Sequence, residues 1–233
     1  MIQVIKSDER YHADRGWLDT RWHFSFDEYY DPDNVNWGPL RVFNDDVIQP
    51  GQGFGFHPHR DMEIITYVMD GELEHRDNTG NRGVVHAGEV QVMSAGTGII
   101  HSEYNHSKER SVHLLQLWIM PRKNGRKPRW EQRQFTLAER QGKLLPVVSS
   151  GELANTLAID QDARVYISRI QAGQELIHRA AAGRKAYLFV ISGEVTLDAG
   201  SLAAGDQARV ANEVSLELKA EVDSEIILLD LPA

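Results

Sequence analysis

The chain contains no cysteine in 233 residues. That excludes disulfide scaffolds, thiol nucleophiles and sulfur-ligated metals together, and leaves any metal site to histidine and carboxylate donors. Positive charge is also short: 25 Lys and Arg stand against 34 Asp and Glu, a formal net charge of −9. Coating a duplex needs clustered cations, so nucleic acid is not an expected partner. No apolar run approaches the roughly 20 residues of a membrane helix, and the opening "MIQVIKSDERYHAD" turns charged too early for the apolar core of a signal peptide. The expectations are a cytoplasmic address, which the absence of cysteine also fits, and no membrane association. Helix signals are scarce too, the one plausible helical turn being "TLAERQGKLL".

What is present is a succession of short apolar runs between glycine-bearing turns. Among them are "LRVFNDDVI", "MEIITYVMDGELEHRD", "GVVHAGEVQVMSAG" and "SVHLLQLWIM", then "ARVYISRI", "KAYLFVISGEVTLDAG", "SLELKAEV" and "SEIILLDL". Enrichment in β-branched and aromatic residues at this spacing predicts an all-β protein of sandwich or barrel type. Inside the first run, "FNDDV" at 43 to 47 reads most simply as a turn, because Asn44 and Asp45 tolerate unusual backbone angles. The stretch "MPRKNGRKPRWEQRQF" combines two prolines, a glycine and a dense set of Lys and Arg between the two groups of strands. It is read as a solvated connection, giving a first domain over 1–122, a linker over 123–134 and a second domain over 135–233.

The two groups repeat one another. "PGQGFGFHPHRDMEIITYVMDGELEHRD" followed by "HAGEVQVM" matches "AGQELIHRAAAGRKAYLFVISGEVTLD" followed by "AAGDQARV" in the order of its Gly-Glu and Ala-Gly-acid signals. Aligning Gly71 with Gly193 sets Glu63 opposite Lys185, His59 opposite Ala180, and His57 opposite His178 after a one-residue slip. Counting from Gly88 and Gly205 sets His101 opposite Leu218 and Glu103 opposite Ala220. Two copies of one β-barrel unit are expected, with the polar cluster kept only in the first.

That cluster is built from couplets. Residues two apart on a strand point to one face, so His57 and His59 project together, and so do His101 and Glu103. Pro58 cannot donate a ladder hydrogen bond, which predicts a strand edge or a bulge at this point. Three neutral imidazoles and one carboxylate suit a borderline divalent ion, leave positions open on a six-coordinate metal, and keep about one net positive charge for an anionic oxygen ligand. Isolated histidines, namely His12, His75, His86, His106, His113 and His178, are read as structural.

The segments Gly51 to Glu63, G-x(5)-H-x-H-x(3)-E, and His101 to Asn105, H-x-E-x-N, resemble the two metal motifs of the cupin superfamily. More narrowly, "HFSFDEYYDPD", "GPLRVFNDD", "FHPHRDMEI" and "MSAGTGIIHSEYN" resemble the pirin family, whose bacterial members include quercetin 2,3-dioxygenases. The resemblance runs along most of the first 120 residues. It implies a bicupin with one metal site ligated by His57, His59, His101 and Glu103. Glu63, where many cupins carry a carboxylate ligand, is expected to orient a ligating histidine, and Glu103 or Glu63 to act as base. The implied cofactor is one divalent ion, taken as iron(II), with nickel, cobalt, manganese, copper or zinc also compatible. The implied reaction opens the heterocycle of a small aromatic, flavonol-like substrate with O2 and releases carbon monoxide. The alternatives are a non-enzymatic metal protein that binds a protein partner, or another small-molecule cupin reaction. The aromatic block "WLDTRWHFSFDEYY" is read as packing that also covers the barrel mouth, with Phe54 and Phe56 flanking a planar ligand.

Overall fold

Every predicted run with strand periodicity finds a sheet, and the glycine turns set where the chain reverses. The computed structural model describes residues 1–233. In chain order its strands are β1 (Ile2–Ile5), β2 (Tyr11–Asp14), β3 (Leu18–Trp22), β4 (Leu40–Ile48), β5 (Gly53–His59), β6 (Glu63–Asp70), β7 (Glu72–Asp77), β8 (Arg82–His86), β9 (Glu89–Ser94), β10 (Ile99–Asn105), β11 (Val112–Ile119) and β12 (Arg129–Gln134). They continue as β13 (Leu145–Ser149), β14 (Leu157–Ala158), β15 (Arg164–Ile170), β16 (Glu175–Arg179), β17 (Lys185–Ser192), β18 (Glu194–Leu197), β19 (Gly200–Ala203), β20 (Gln207–Ala211), β21 (Ser215–Ala220) and β22 (Ser224–Leu231). The helical turn expected near residue 137 is α1 (Leu137–Arg140), capped by the Thr136 hydroxyl and its reciprocal partner Glu139. No helix is long and apolar enough to cross a membrane.

Each half is a jelly roll of one large and one small sheet. The first pairs β12-β9-β6-β11-β4-β3-β2 with β5-β10-β7-β8, and the second pairs β1-β20-β17-β22-β15-β13-β14 with β16-β21-β18-β19. The all-β bicupin expectation holds. The repeat glycines Gly71 and Gly193 share a φ of 82°. A Cβ on either would meet the start of the strand paired with the one it follows, 2.9 Å from Val112 Cα on β11 and 2.8 Å from Ser224 Cα on β22. Only glycine fits both the backbone angle and the close approach.

Two expectations change here. Residues 129–134, read as linker, form β12, which pairs with β9 from Arg129↔Ser94 to Gln134↔Glu89. Reciprocally, β1 at the start of the chain pairs with β20 of the second half. Each large sheet is thus extended by a strand from outside its own repeat, which satisfies backbone groups that an exposed edge would leave open. The second change is at 43–47: "FNDDV" is continuous strand inside β4, paired with β3 and β11 on both sides. Ladder pairing overrides the local turn preference of Asn and Asp.

The two large sheets pack face to face. Their shared core of 23 buried residues includes Phe43, Ile65, Tyr67, Leu115 and Leu117 from one half, and Tyr187, Phe189, Ile227 and Leu229 from the other. Between its own two sheets the second half buries 14 apolar residues. The first half has only seven in the corresponding cluster and four more beside it. The missing apolar volume is taken by the polar groups described next.

Candidate metal centre

The centre rests on β10, the second strand of the small sheet, with the edge strand β5 on one side and β7 on the other. Across these three strands His101 lies opposite both His57 and Asp77, and Glu103 lies opposite both Phe54 and His75. Pro58 sits on the edge strand, where its missing donor costs no ladder bond. Between His57 and Phe54 the register slips, so that β5 carries an extra residue against β10. This bulge turns Phe54 inward together with His57 and His59, while Phe56 is 68% exposed. Phe54 therefore flanks the cavity as expected and Phe56 does not.

The structure brings three of the expected donors to one point. Ligating nitrogens of His57, His59 and His101 lie within 4.8 Å of one another. His101 also belongs to a second set, with Glu103 and His75, that meets the same limit. Burial, with His101 and His57 nearby, lowers His59 to about 4, and burial lowers His101 to about 4. Both are neutral at physiological pH and keep a lone pair to donate.

Glu103 is buried and lines the floor of the cavity described below. Burial pushes its carboxyl up, but the neighbouring His101 and His75 and the side-chain amides of Gln91 and Gln116 outweigh it and hold the group below the usual range. Gln91 Nε2 donates to one carboxylate oxygen at 2.8 Å and Gln116 Nε2 to the other at 2.7 Å. The amides are themselves oriented: Trp130 Nε1 donates to Gln91 Oε1 at 2.8 Å and Trp118 Nε1 to Gln116 Oε1 at 3.2 Å.

His75, read from the sequence as structural, is fully buried in this cluster. Its Nε2 lies 3.2 Å from Asp77 Oδ2 and its Nδ1 lies 3.4 Å from His101 Nδ1, with Trp130 stacked on its ring at 5.1 Å. If Nε2 carries the proton that the Asp77 carboxylate accepts, Nδ1 of His75 is left to accept from His101 Nδ1–H. That tautomer leaves His101 Nε2 with its lone pair free, and this atom is buried without a partner. The signal was there in "His75-x-Asp77", a second couplet on one strand face, which a search for ligands alone passes over.

Glu63 is not in the centre. On β6 it shares its face with Ile65 and Tyr67, which point into the core between the halves, and it accepts a 2.5 Å hydrogen bond from Ser94 Oγ. It lines a separate cleft with Arg129 and Asp160. Thr66, one residue out of step, is the one that meets Gln91 at 3.2 Å inside the barrel. The turn Arg60–Met62 between β5 and β6 breaks the counting that links Glu63 to His59 in sequence.

The repeat now supplies an internal control. Pairing registers carried from Gly71 and Gly193 set Leu197 at the place of His75, Leu216 at His101, Leu218 at Glu103, Ala208 at Gln91 and Leu228 at Gln116. His101 and Glu103 thus fall two residues from the partners expected by counting from Gly88, whereas His57 does fall opposite His178. All five replacements belong to the buried apolar cluster of the second half. The same fold closes on leucine there, so the polar set in the first half is not required by the architecture. Burying it costs free energy that a bound ion can return. The bulge in β5 has no counterpart, since β16 pairs with β21 without a slip.

Beside the histidines opens a cavity of about 450 Å³, in the range of small-ligand sites. Trp17, Trp22, Phe26, Phe54 and Trp118 give it an aromatic wall, so part of the 17–30 block does cover the mouth.

An orphaned imidazole nitrogen, neutral histidines and an ionised carboxylate together fit a divalent cation, and a double jelly roll with this donor set in one half is a cupin metal site. The chain belongs to the pirin family. Residues 5–119 match the family described as Pirin, and residues 146–231 match one described as Quercetinase C-terminal cupin domain. A protein of Escherichia coli (strain K12) named quercetin 2,3-dioxygenase is 47% identical over 233 residues, 100% of this chain and 99% of the relative. A pirin-like protein of Caulobacter vibrioides is 45% identical over 231 residues, covering 99% of each. Among solved structures, bacterial pirin YhhW from Escherichia coli in complex with nickel(II) superposes with a TM-score of 0.94 at 46% identity, over 100% of this chain and 99% of that one.

Proposed function

We propose that this protein is a metal-dependent flavonol 2,3-dioxygenase, consuming a flavonol and O2 and releasing a ring-opened ester and carbon monoxide. The observation that carries the reading is the asymmetry of the repeat: the first half sets the half-buried His57 and His59 and the buried His101 and Glu103 beside an aromatic cavity, and the second half, which keeps only His178 at the place of His57, has leucine at the places of His101 and Glu103. The names of full-length relatives at 47% and 45% identity support it. His57, His59, His101 and Glu103 would hold one divalent ion, assigned here as iron(II), and the nickel complex of a 46% identical pirin supports a divalent occupant. When bound, the ion supplies a Lewis acid and a template for the substrate's ionised hydroxyl and for O2.

The chain's own residues do the rest. His75 and Asp77 fix the tautomer and direction of His101. Gln91 and Gln116 anchor both oxygens of Glu103, the carboxylate proposed as acceptor of the substrate hydroxyl proton. Trp17, Trp22, Phe26 and Phe54 offer faces to a planar ligand and keep water from it. Glu63 is withdrawn as a base, because it faces the other side of its sheet. A cytoplasmic location is part of the proposal, consistent with the absence of cysteine. The test is aerobic incubation of the protein, loaded in turn with Fe, Ni, Co, Mn and Cu, with quercetin, following flavonol absorbance and oxygen uptake. The reading requires equimolar loss of both with at least one metal; no turnover with any of them would replace it with a non-catalytic, partner-binding role.

A further inference from the structure

The segment first read as a turn places two polar side chains where the proposed chemistry has no use for them. Asn44 and Asp46 are two apart on β4, so both face the barrel interior, and both line the aromatic cavity. They are 4% and 2% exposed, buried well beyond nine-tenths. Asn44 Oδ1 has no hydrogen-bond partner in the protein. Asp46 has one, the Thr20 hydroxyl on its Oδ1, and the second carboxyl oxygen has none. Burial raises the Asp46 carboxyl to about 7, so near neutrality it can donate as well as accept. Their counterparts in the second half are Tyr166 and Ser168, set by the pairing of β15 with β22. An amide oxygen with no partner and an acid with one free oxygen at an apolar cavity cost stability unless something in the cavity meets them.

We infer that Asn44 and Asp46 form a specificity edge that hydrogen-bonds a hydroxyl group of a planar aromatic ligand lying between Trp17, Trp22, Phe26, Phe54 and Trp118. The inference rests on the flavonol reading for the ligand's class and names what selects within it: polyhydroxylated flavonols over analogues lacking one hydroxyl. A site built to bond a hydroxyl rejects the analogue without it strongly, since its own buried groups are then left bare.

The experiment uses metal-loaded full-length protein and a panel of quercetin and analogues each missing one ring hydroxyl. Binding is read by quenching of tryptophan fluorescence, and turnover by oxygen uptake as separate KM and kcat values. At one ring position, hydroxyl removal is expected to weaken wild-type binding about tenfold or more, and to cost Asp46→Leu or Asn44→Leu less than about threefold. Asp46→Asn, which keeps the shape and the Thr20 acceptor, should recover most of the discrimination. Equal discrimination at every position in wild type and both leucine variants, with metal content unchanged, would overturn the inference, as would a wild type that binds no member of the panel. Discriminating binding without turnover by any metal form would uphold this edge and refute the oxygenase reading, so the two failures are distinct.

Discussion

At the residue scale the centre is decided by a few side chains whose neighbours leave them little freedom. His101 has its Nδ1 against His75 and its Nε2 unpartnered, so it has one direction in which to donate. Replacing His59 or His101 by Ala should lower bound metal from one ion per chain to less than about a tenth of that, with the far-ultraviolet circular dichroism of the β fold retained. Asp77→Asn would remove the carboxylate that orients His75, and should weaken metal binding by roughly ten- to a hundredfold in a competition titration without changing any ligand. Asp46 carries a pH signature. Burial raises its folded pKa from the ordinary 3.8 to about 7, so between those values the folded state holds a proton that the unfolded state has lost. Its contribution to stability is full below pH 4 and is lost as pH rises through 7. Asp46→Asn should therefore gain on wild type by about 1 kcal/mol or more between pH 4 and pH 8, measured by denaturant unfolding of metal-free protein. The sequence announced the His57, His59, His101 and Glu103 group because couplets on strands are legible from spacing alone. Gln91 and Gln116 were not legible, since single polar residues in a strand look the same whether they support a site or face solvent, and the His75-x-Asp77 couplet was passed over because neither residue is sought as a ligand.

At the scale of the element, β5 governs the site. Gly53 lets it approach β10: a Cβ there would lie 2.2 Å from Glu103 O and 2.5 Å from Tyr104 Cα, both backbone atoms that cannot step aside. Gly53→Ala should push the edge strand away and lower metal affinity about tenfold or more while leaving every donor in place, as read by isothermal titration. Strand existence was readable from glycine turns and apolar runs, and so was the repeat. Facing was harder. In β6 every residue from Glu63 to Val68 is buried, so no polar alternation marks which side is which, and Glu63 was given to the wrong one. In β4 the segment read as a turn because Asn44 and Asp46 face a cavity rather than an apolar core. β12 was hidden by its charge, for "RWEQRQ" is the composition of an exposed edge and of a linker alike.

At the scale of the molecule the halves form one body. The 23-residue core between the large sheets is joined at its rim by Glu225, whose Oε1 accepts from Tyr67 Oη and Arg140 Nη1, each at 2.6 Å, and whose Oε2 accepts from Arg169 at 3.0 Å. Removing Glu225 would leave the largely buried Arg140 guanidinium without its counter-charge, and Glu225→Ala should cost about 3 kcal/mol. Because the larger core of 23 residues is shared between the halves, unfolding should follow one transition, coincident by fluorescence and circular dichroism. A fragment of residues 1–122, lacking β12 and baring Ile65, Tyr67, Leu115 and Leu117, should not stay soluble. The sequence told of two units but not of their exchange of edge strands, which depends on contacts far apart in the chain.

The shared fold offers its own decisive comparison, since His57 and His178 hold equivalent places in the two halves. Metal per chain, measured by elemental analysis after saturation and desalting, should be one in wild type and in His178→Ala and close to zero in His57→Ala. Two ions per chain in wild type, or an undiminished ratio in His57→Ala, would contradict a single centre built by the first half alone.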